Sequence, residues 1–536
     1  MALTKEKIKE TEMAHLTHLN STDQNKVVLL RTPMVVPKWS HAFSICPPLG
    51  MAYVAAALRQ AGYGVRCIDS LGEAPFQKII CENNSNFINF GLSSEEIIQR
   101  LASEDFNILF VSLMFSHDWP MTKGIIKLVK KSFPDTLLVC GGEHISACPE
   151  FCMKECPEID ICVLGEGEET GVDIVKTVAQ KKSFSDVKGI VFRSGGKITR
   201  NPNRARINKL EDIPRPAWGL FPLENYLKNS FGYGVNPGRS MPMLVSRGCP
   251  YECTFCSSPQ MWTTKWQARE VDWVLDEMQF YIDKYKVQNF DYYDLTTIVK
   301  KDWIIDFCQK VIKKNWNITW QMPAGTRSEA LDDETLGLMV LSGQQMISYA
   351  PESGSAVTLQ KIKKKIKVDR MKKSIKSALS KGMNVKLNLM MGFPHETHKD
   401  MFQTLIFLKD VAIMGVDDAY IGAFAPYPGS ELFDQLYENG QIEKLDDKYF
   451  FNLSSNSDIF NSYSFSKHVS TGMLAFYRLG GMLMFYTIGF ILHPKRIFRL
   501  FSNIIKKREE SKLAMALIQM LDRFKGSKKP PPSSLV

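Results

Sequence analysis

The sequence predicts an α/β protein in three parts: an N-terminal Rossmann-like, doubly wound domain, a partial (β/α)6 barrel, and a mainly helical C-terminal region. Short Val-, Ile- and Leu-rich runs alternate with helical stretches over 26–185, the pattern of a parallel sheet covered on both faces. A second strand–helix repeat fills 241–435, and over 436–536 the strand signals give way to one long apolar run. Residues 1–25 are polar and read as a disordered N-terminus, and 186–240 as a Pro-rich linker.

In the first domain the expected strands are Lys26–Arg31, Val65–Asp69, Ile108–Ser112, Thr136–Gly142 and Ile161–Gly165, each too short for a helix. The helix Pro47–Gly62 has Pro near its start and Gly at its end. A doubly wound sheet binds its ligand where the strands end. The loops there are Ser112–Trp119, Gly141-Gly142-Glu143-His144 and Gly165-Glu166-Gly167-Glu168, whose glycines let a ligand approach the backbone.

The linker contains a hairpin, Gly189–Arg193 turning at Gly195-Gly196. The barrel starts with a strand Met243–Ser246 and a helix near Asp272–Lys284. Strands follow at Asn289–Asp294, Thr319–Met322, Met346–Ala350, Val385–Met391 and Asp418–Gly422. Barrel active sites lie at the strands' carboxyl ends, where Asp294, Arg327, Glu352, Ser353 and Gly392 stand.

The first barrel strand feeds Cys249, Cys253 and Cys256, spaced C-x3-C-x2-C. Three thiolates hold three irons of a cubane and leave the fourth open to a substrate, whereas four-cysteine clusters only move electrons. Zinc would want a fourth Cys or His at tetrahedral reach, and the next cysteine, Cys308, is far off in sequence. Three ordinary buried thiols are the other alternative.

With Gly248, Pro250 and Phe255, this motif resembles that of the radical S-adenosylmethionine (SAM) superfamily. The first domain resembles the cobalamin-binding domain of the B12-dependent radical SAM enzymes. The likeness rests on Pro47-Pro48-Leu49-Gly50, the strand ending in Asp69, and the Gly-Gly-Glu-His and Gly-Glu-Gly-Glu turns.

The resemblance implies a [4Fe-4S] cluster on Cys249, Cys253 and Cys256, SAM at its open iron, and cobalamin near Ser112, Gly141, Gly142, His144, Gly165 and Glu166. It implies Asp294 for the amino end of SAM, Arg327 for its carboxylate, Glu352 and Ser353 for ribose or carboxylate, and Phe255 with the Gly392 loop for adenine. The implied reaction is reductive cleavage of SAM and methylation of an unactivated carbon, with an electron from a donor such as flavodoxin or ferredoxin. Radical oxidation or cyclisation without methyl transfer, as in the anaerobic oxidative cyclases, is the alternative, and a cobalamin or metal-binding sensor the non-enzymatic one. One departure matters: histidine-ligated cobalamin domains carry Asp-x-His-x-x-Gly, but here the run is Asp69-Ser70-Leu71-Gly72. His117 and His144 are the histidines nearest the crevice.

A second trio, Cys148, Cys152 and Cys156, falls on one face of a short helix and reads as buried thiols or an auxiliary metal site. The N-terminal stretch lacks the charged-then-apolar order of a secretion signal, so the 12 cysteines are expected reduced, in a cytoplasmic setting. The net charge is +10, yet its basic residues are dispersed, and Lys361–Lys367 reads as one solvated helix face; nucleic acid is not expected as a partner.

In the tail, Leu479–Leu492 is uncharged for 14 residues, and extension back to Met473 meets only Arg478. A basic amphipathic segment follows to residue 508. Residues 473–508 therefore suit either a peripheral membrane contact, which would favour a lipid over another small-molecule substrate, or a helix packed on the barrel.

Overall fold

The computed structural model describes residues 26–38, 40, 43–82, 84–234, 238–454, 463–506 and 511–524. The stretch expected to be disordered, 1–25, lies outside the described residues.

The first half contains β1 (Lys26–Arg31), β2 (Met34–Pro37), β3 (Gly64–Asp69), β4 (Lys78–Ile80), β5 (Phe87–Phe90), β6 (Ile108–Ser112), β7 (Leu137–Gly141), β8 (Ile161–Val163), β9 (Ile190–Ser194) and β10 (Lys197–Arg200). One sheet runs β3-β1-β6-β7-β8-β9-β10, parallel from β3 to β8 and antiparallel beyond. The hairpin β9–β10 thus extends the first sheet, and its hydrogen bonding runs into the stretch expected as a linker. Strand alternation sends Val27 and Leu29 into one core and Val28 and Leu30 into another, which is why β1 is apolar without a break. The small antiparallel sheet β2-β5-β4 was not foreseen.

Chain order reverses between β1 and β6, the topological switch point where such sheets open a crevice. Register places Arg31 opposite both Asp69 and Ser112 there.

The second half contains β11 (Ser240–Met243), β12 (Ser246–Arg247), β13 (Gln267–Ala268), β14 (Asn289–Tyr292), β15 (Thr319–Thr326), β16 (Gln344–Glu352), β17 (Asn384–Met391) and β18 (Asp418–Ala423). The main sheet is six-stranded and parallel in the sequential order β11-β14-β15-β16-β17-β18, left open between its two edges as a partial barrel. Its first strand ends at Met243 rather than Ser246, because residues 246–247 leave to pair with 267–268.

The tail forms a helix Thr471–Leu492 seated on β18 and on the helix His398–Met414. Its one charged residue, Arg478, points inward and donates to the Ile421 carbonyl at 3.0 Å, and Tyr486 donates to Asp418. The helix covers an open sheet edge. Lys361–Lys367 is not a solvated helix face: the helix Ala356–Lys361 ends there, and the turn that follows sends Lys364 inward against Glu352.

Candidate active site

The cysteine loop leaves β12 under tight backbone control. Gly248 has φ +87°, and a Cβ there would lie 2.2 Å from the Lys265 carbonyl, so only glycine fits. Midway, the Thr254 N–H donates to the Ile362 carbonyl at 3.1 Å, and its own carbonyl accepts from Leu432 N–H at 2.8 Å. Cys249, Cys253 and Cys256 are half-buried, and the Cys249 sulfur is 3.4 Å from the Thr296 hydroxyl.

Burial pushes the Cys256 thiol up to about 11 and raises Cys253, while Lys364 and Arg327 favour the Cys253 thiolate. A cationic rim beside the thiolates fits an anionic cluster.

Around the loop stand several residues expected to hold SAM. Arg327 lies over the Tyr251 ring at 3.5 Å and pairs with Glu329. Glu352, at the end of β16, has φ +65°, a strained backbone for a non-glycine residue, and its carboxylate accepts from Lys364 at 2.9 Å. The Phe255 ring is 5.8 Å from Phe393, next to Gly392. Gly392 takes φ +95°, and its turn is closed by Glu396, which accepts from the N–H groups of Gly392 (2.7 Å) and Phe393 (3.1 Å). Burial lifts Glu396 to about 7.

Two of the expected residues already have partners within the protein. Asp294 is 1 % exposed, and its oxygens accept from Val245 N–H and from the N–H and hydroxyl of Ser246, so it pins the start of the cysteine loop. Burial raises it to about 6. Ser353 faces away, with its hydroxyl 3.0 Å from Thr404 on the neighbouring helix.

At the carboxyl edge of the first sheet, Ser112 stands at the switch point, and Met114 and Phe115 beyond it are 46 % and 52 % exposed. Exposed apolar side chains just past the carboxyl end of a switch-point strand suit the flat face of a macrocycle such as a corrin. His117 stacks on Phe115 and keeps a buried ring nitrogen, Nδ1, without a partner among the described residues.

The other expected cobalamin contacts are differently engaged. Gly142, φ +121°, exists for a close approach of protein, since a Cβ would lie 2.2 Å from the Leu113 carbonyl; Gly141 has only an ordinary contact with Val163. His144 is buried against Ser116, Trp119 and Phe450. Gly165 donates to the Ser146 hydroxyl at 3.0 Å, and Glu166 is paired with Arg206 and Arg247.

Those pairings join the two halves. Arg247, two residues before Cys249, bonds Glu166 at 2.9 Å and also Glu168, and Ser257, next to Cys256, donates to Glu143. The turns that end β7 and β8 are therefore fastened to both ends of the cysteine loop. Sequence reasoning missed Arg247, Arg206, Lys364, Tyr251 and Glu396. Arg247 and Tyr251 carried a signal, their places beside and inside the cysteine motif.

Comparison with known families agrees with this geometry: residues 40–175 match the B12 binding domain, and 243–408 match the radical SAM superfamily. The chain is a B12-binding radical SAM enzyme. Its cofactors are cobalamin, a [4Fe-4S] cluster and SAM. The enzyme is 27 % identical over 460 residues to the cytidylyl-2-hydroxyethylphosphonate methyltransferase of Streptomyces wedmorensis, covering 79 % of this chain and 84 % of that one. It is 25 % identical over 411 residues to the anaerobic magnesium-protoporphyrin IX monomethyl ester cyclase of Rubrivivax gelatinosus, covering 76 % and 69 %. Its fold is that of the cobalamin-dependent SAM radical enzyme OxsB, solved with aqua-cobalamin and SAM bound (TM-score 0.65, 14 % identity, 96 % of this chain and 77 % of that chain).

Proposed function

We propose that this B12-binding radical SAM enzyme methylates an unactivated carbon of a small substrate. When bound, the cluster with SAM supplies a hydrogen-abstracting 5′-deoxyadenosyl radical, and cobalamin supplies the methyl group. The observation that carries the reading is the grip of Glu166 and Glu168 on Arg247, which binds the edge of the first-domain crevice to the cysteine loop. Methyl transfer needs both cofactors at one substrate, and shared positioning of this kind is what proximity catalysis requires.

The chain's residues divide the work. Cys249, Cys253 and Cys256 hold the cluster, and Asp294 fixes where their loop begins. Arg327 offers its guanidinium to the SAM carboxylate, Phe255 and the Gly392 turn flank adenine, and Glu352 with Lys364 faces the polar end of SAM. Ser112, Met114 and Phe115 receive cobalamin. Radical SAM enzymes take their electron from an external reductant; here a flavodoxin or ferredoxin fits.

The test is anaerobic reconstitution with iron, sulfide and hydroxocobalamin, then reduction with SAM labelled in its methyl group. Label on the bound cobalamin is expected. Turnover of SAM to 5′-deoxyadenosine without any labelled cobalamin would favour oxidation or cyclisation instead.

We also read the tail as touching an anionic lipid surface. Among the described residues one helix, Thr471–Leu492, is long and apolar enough to cross a membrane, but its inner face is spent on the barrel. Its outer face leaves Phe476 and Leu483 exposed, and the helix Lys495–Ile505 adds exposed Phe498, Phe501 and Ile505 beside Lys495. An apolar face with a basic border suits peripheral binding. Sedimentation with phosphatidylglycerol vesicles should be lost in Phe498→Ser/Phe501→Ser; equal sedimentation with neutral vesicles would remove the reading.

A further inference from the structure

The second cysteine trio does not act as a trio. The helix Pro149–Glu155 places Cys148 at its start and Cys152 one turn on, while Cys156 turns away toward Glu158. The place of the third sulfur is taken by His144, from the Gly-Gly-Glu-His turn. Its Nε2 lies 3.4 Å from the Cys152 sulfur and 3.8 Å from that of Cys148, and the two sulfurs are 4.0 Å apart.

These separations are close to the edges of one coordination tetrahedron. With Zn–S of about 2.3 Å and Zn–N of about 2.0 Å, ligand atoms stand roughly 3.5 to 3.8 Å apart. The far nitrogen is held as well: Nδ1 is 2.9 Å from the Ser116 hydroxyl, which fixes the ring with Nε2 toward Cys152, while the Cys148 sulfur, 3.7 Å from Nδ1 and 3.8 Å from Nε2, lies over the ring and must rotate to join an ion on Nε2. Ring contacts with Trp119 and Phe450 hold the imidazole from two further sides. His144 and Cys152 are buried and Cys148 half-buried, so the site opens on the Cys148 side, where water can complete the shell.

We propose that His144, Cys148 and Cys152 bind a zinc ion, distinct from the cluster on Cys249, Cys253 and Cys256. Binding deprotonates the two thiols and releases two protons to solvent, and two thiolates with one imidazole make a soft donor set that selects zinc over magnesium or calcium. The ion would staple the Gly-Gly-Glu-His turn to the following helix. That turn carries Glu143, which accepts from Ser257 beside Cys256, so the zinc fixes the crevice side of the cysteine loop.

The test uses the full chain purified anaerobically, with metals counted by mass spectrometry. About one zinc per chain is expected in wild type and in Cys249→Ala/Cys253→Ala/Cys256→Ala, and a severalfold loss in Cys148→Ser and in His144→Gln. Cys148→Ser is the safer variant, being half-buried; its near-ultraviolet circular dichroism and reconstituted cluster spectrum should match wild type. Protein grown with cobalt should show the intense visible bands of a tetrahedral thiolate site, absent from Cys148→Ser. Zinc that is equal in wild type and Cys148→Ser, zinc that leaves only with the cluster triad, or iron in place of zinc in the triad variant would each overturn the proposal.

Discussion

Arg247 and Glu166 form a salt bridge at 2.9 Å with both side chains 4 % exposed, 81 residues apart in sequence and on opposite sides of the domain boundary. Arg247 also reaches Glu168 and lies over the Tyr53 ring at 5.2 Å, so one guanidinium joins the first domain's turn, its first helix and the cysteine loop.

Arg247→Met should lower stability by about 3 kcal/mol, because it strands the buried Glu168 carboxylate and leaves Glu166 with Arg206 alone. Thermal unfolding should show the loss, and the triple variant Arg247→Met/Glu166→Gln/Glu168→Gln should recover part of it. Recovery of nothing would mean that packing of the guanidinium, and not its charge, carries the junction.

Arg327→Lys should raise the KM for SAM roughly tenfold, about 1.4 kcal/mol, since an ammonium keeps the charge but not the planar stack on Tyr251. The cluster absorbance should not change. An unaltered KM would take Arg327 out of the SAM site.

Glu396→Gln should flatten the pH dependence of stability. Burial raises the folded carboxyl to about 7, so the native state keeps a proton that the unfolded chain has already released. The stabilisation is full below the unfolded pKa of about 4.5 and is lost as pH rises through about 7, on the order of 2–3 kcal/mol. The glutamine carbonyl can still accept from Gly392 and Phe393. Melting from pH 5 to 8 should fall more steeply for wild type than for the variant, whose remaining slope belongs to groups such as Asp294; parallel curves would contradict the assignment.

Gly142→Ala should weaken retention of cobalamin. The backbone at φ +121° and the contact with the Leu113 carbonyl together cost more than about 2 kcal/mol, and relief must move the loop that carries Met114 and Phe115. Visible absorbance after gel filtration measures the retention. Gly141→Ala, with only Val163 at 3.6 Å, should retain cobalamin as wild type does.

Much of the fold was legible because its signals are local. The unbroken apolar run of β1 announces a strand buried on both faces, and the spacing of Cys249, Cys253 and Cys256 lies within one loop. The side-chain partners were not legible. Glu352 and Ser353 are neighbours, yet the left-handed backbone of Glu352 turns its carboxylate to Lys364 while the Ser353 hydroxyl meets Thr404. Lys364 sits in a lysine-rich run that reads as solvent-facing, and only the turn after Lys361 sends it inward to Glu352. That Ser246 donates to Asp294 across 48 residues could not be read from the sequence either.

By itself the sequence determined the two strand–helix repeats, the three cluster thiols and the class of chemistry, since periodicity and short spacings survive in one dimension. Only the tertiary structure decided that Arg247 belongs to Glu166 and Glu168, that Arg478 turns the tail inward, and that His144 rather than Cys156 completes a ligand set with Cys148 and Cys152. Those pairings are set by desolvation: a charge or thiol leaving water takes whichever partner the packed chain brings within a few ångströms, and that partner's place in the sequence is irrelevant.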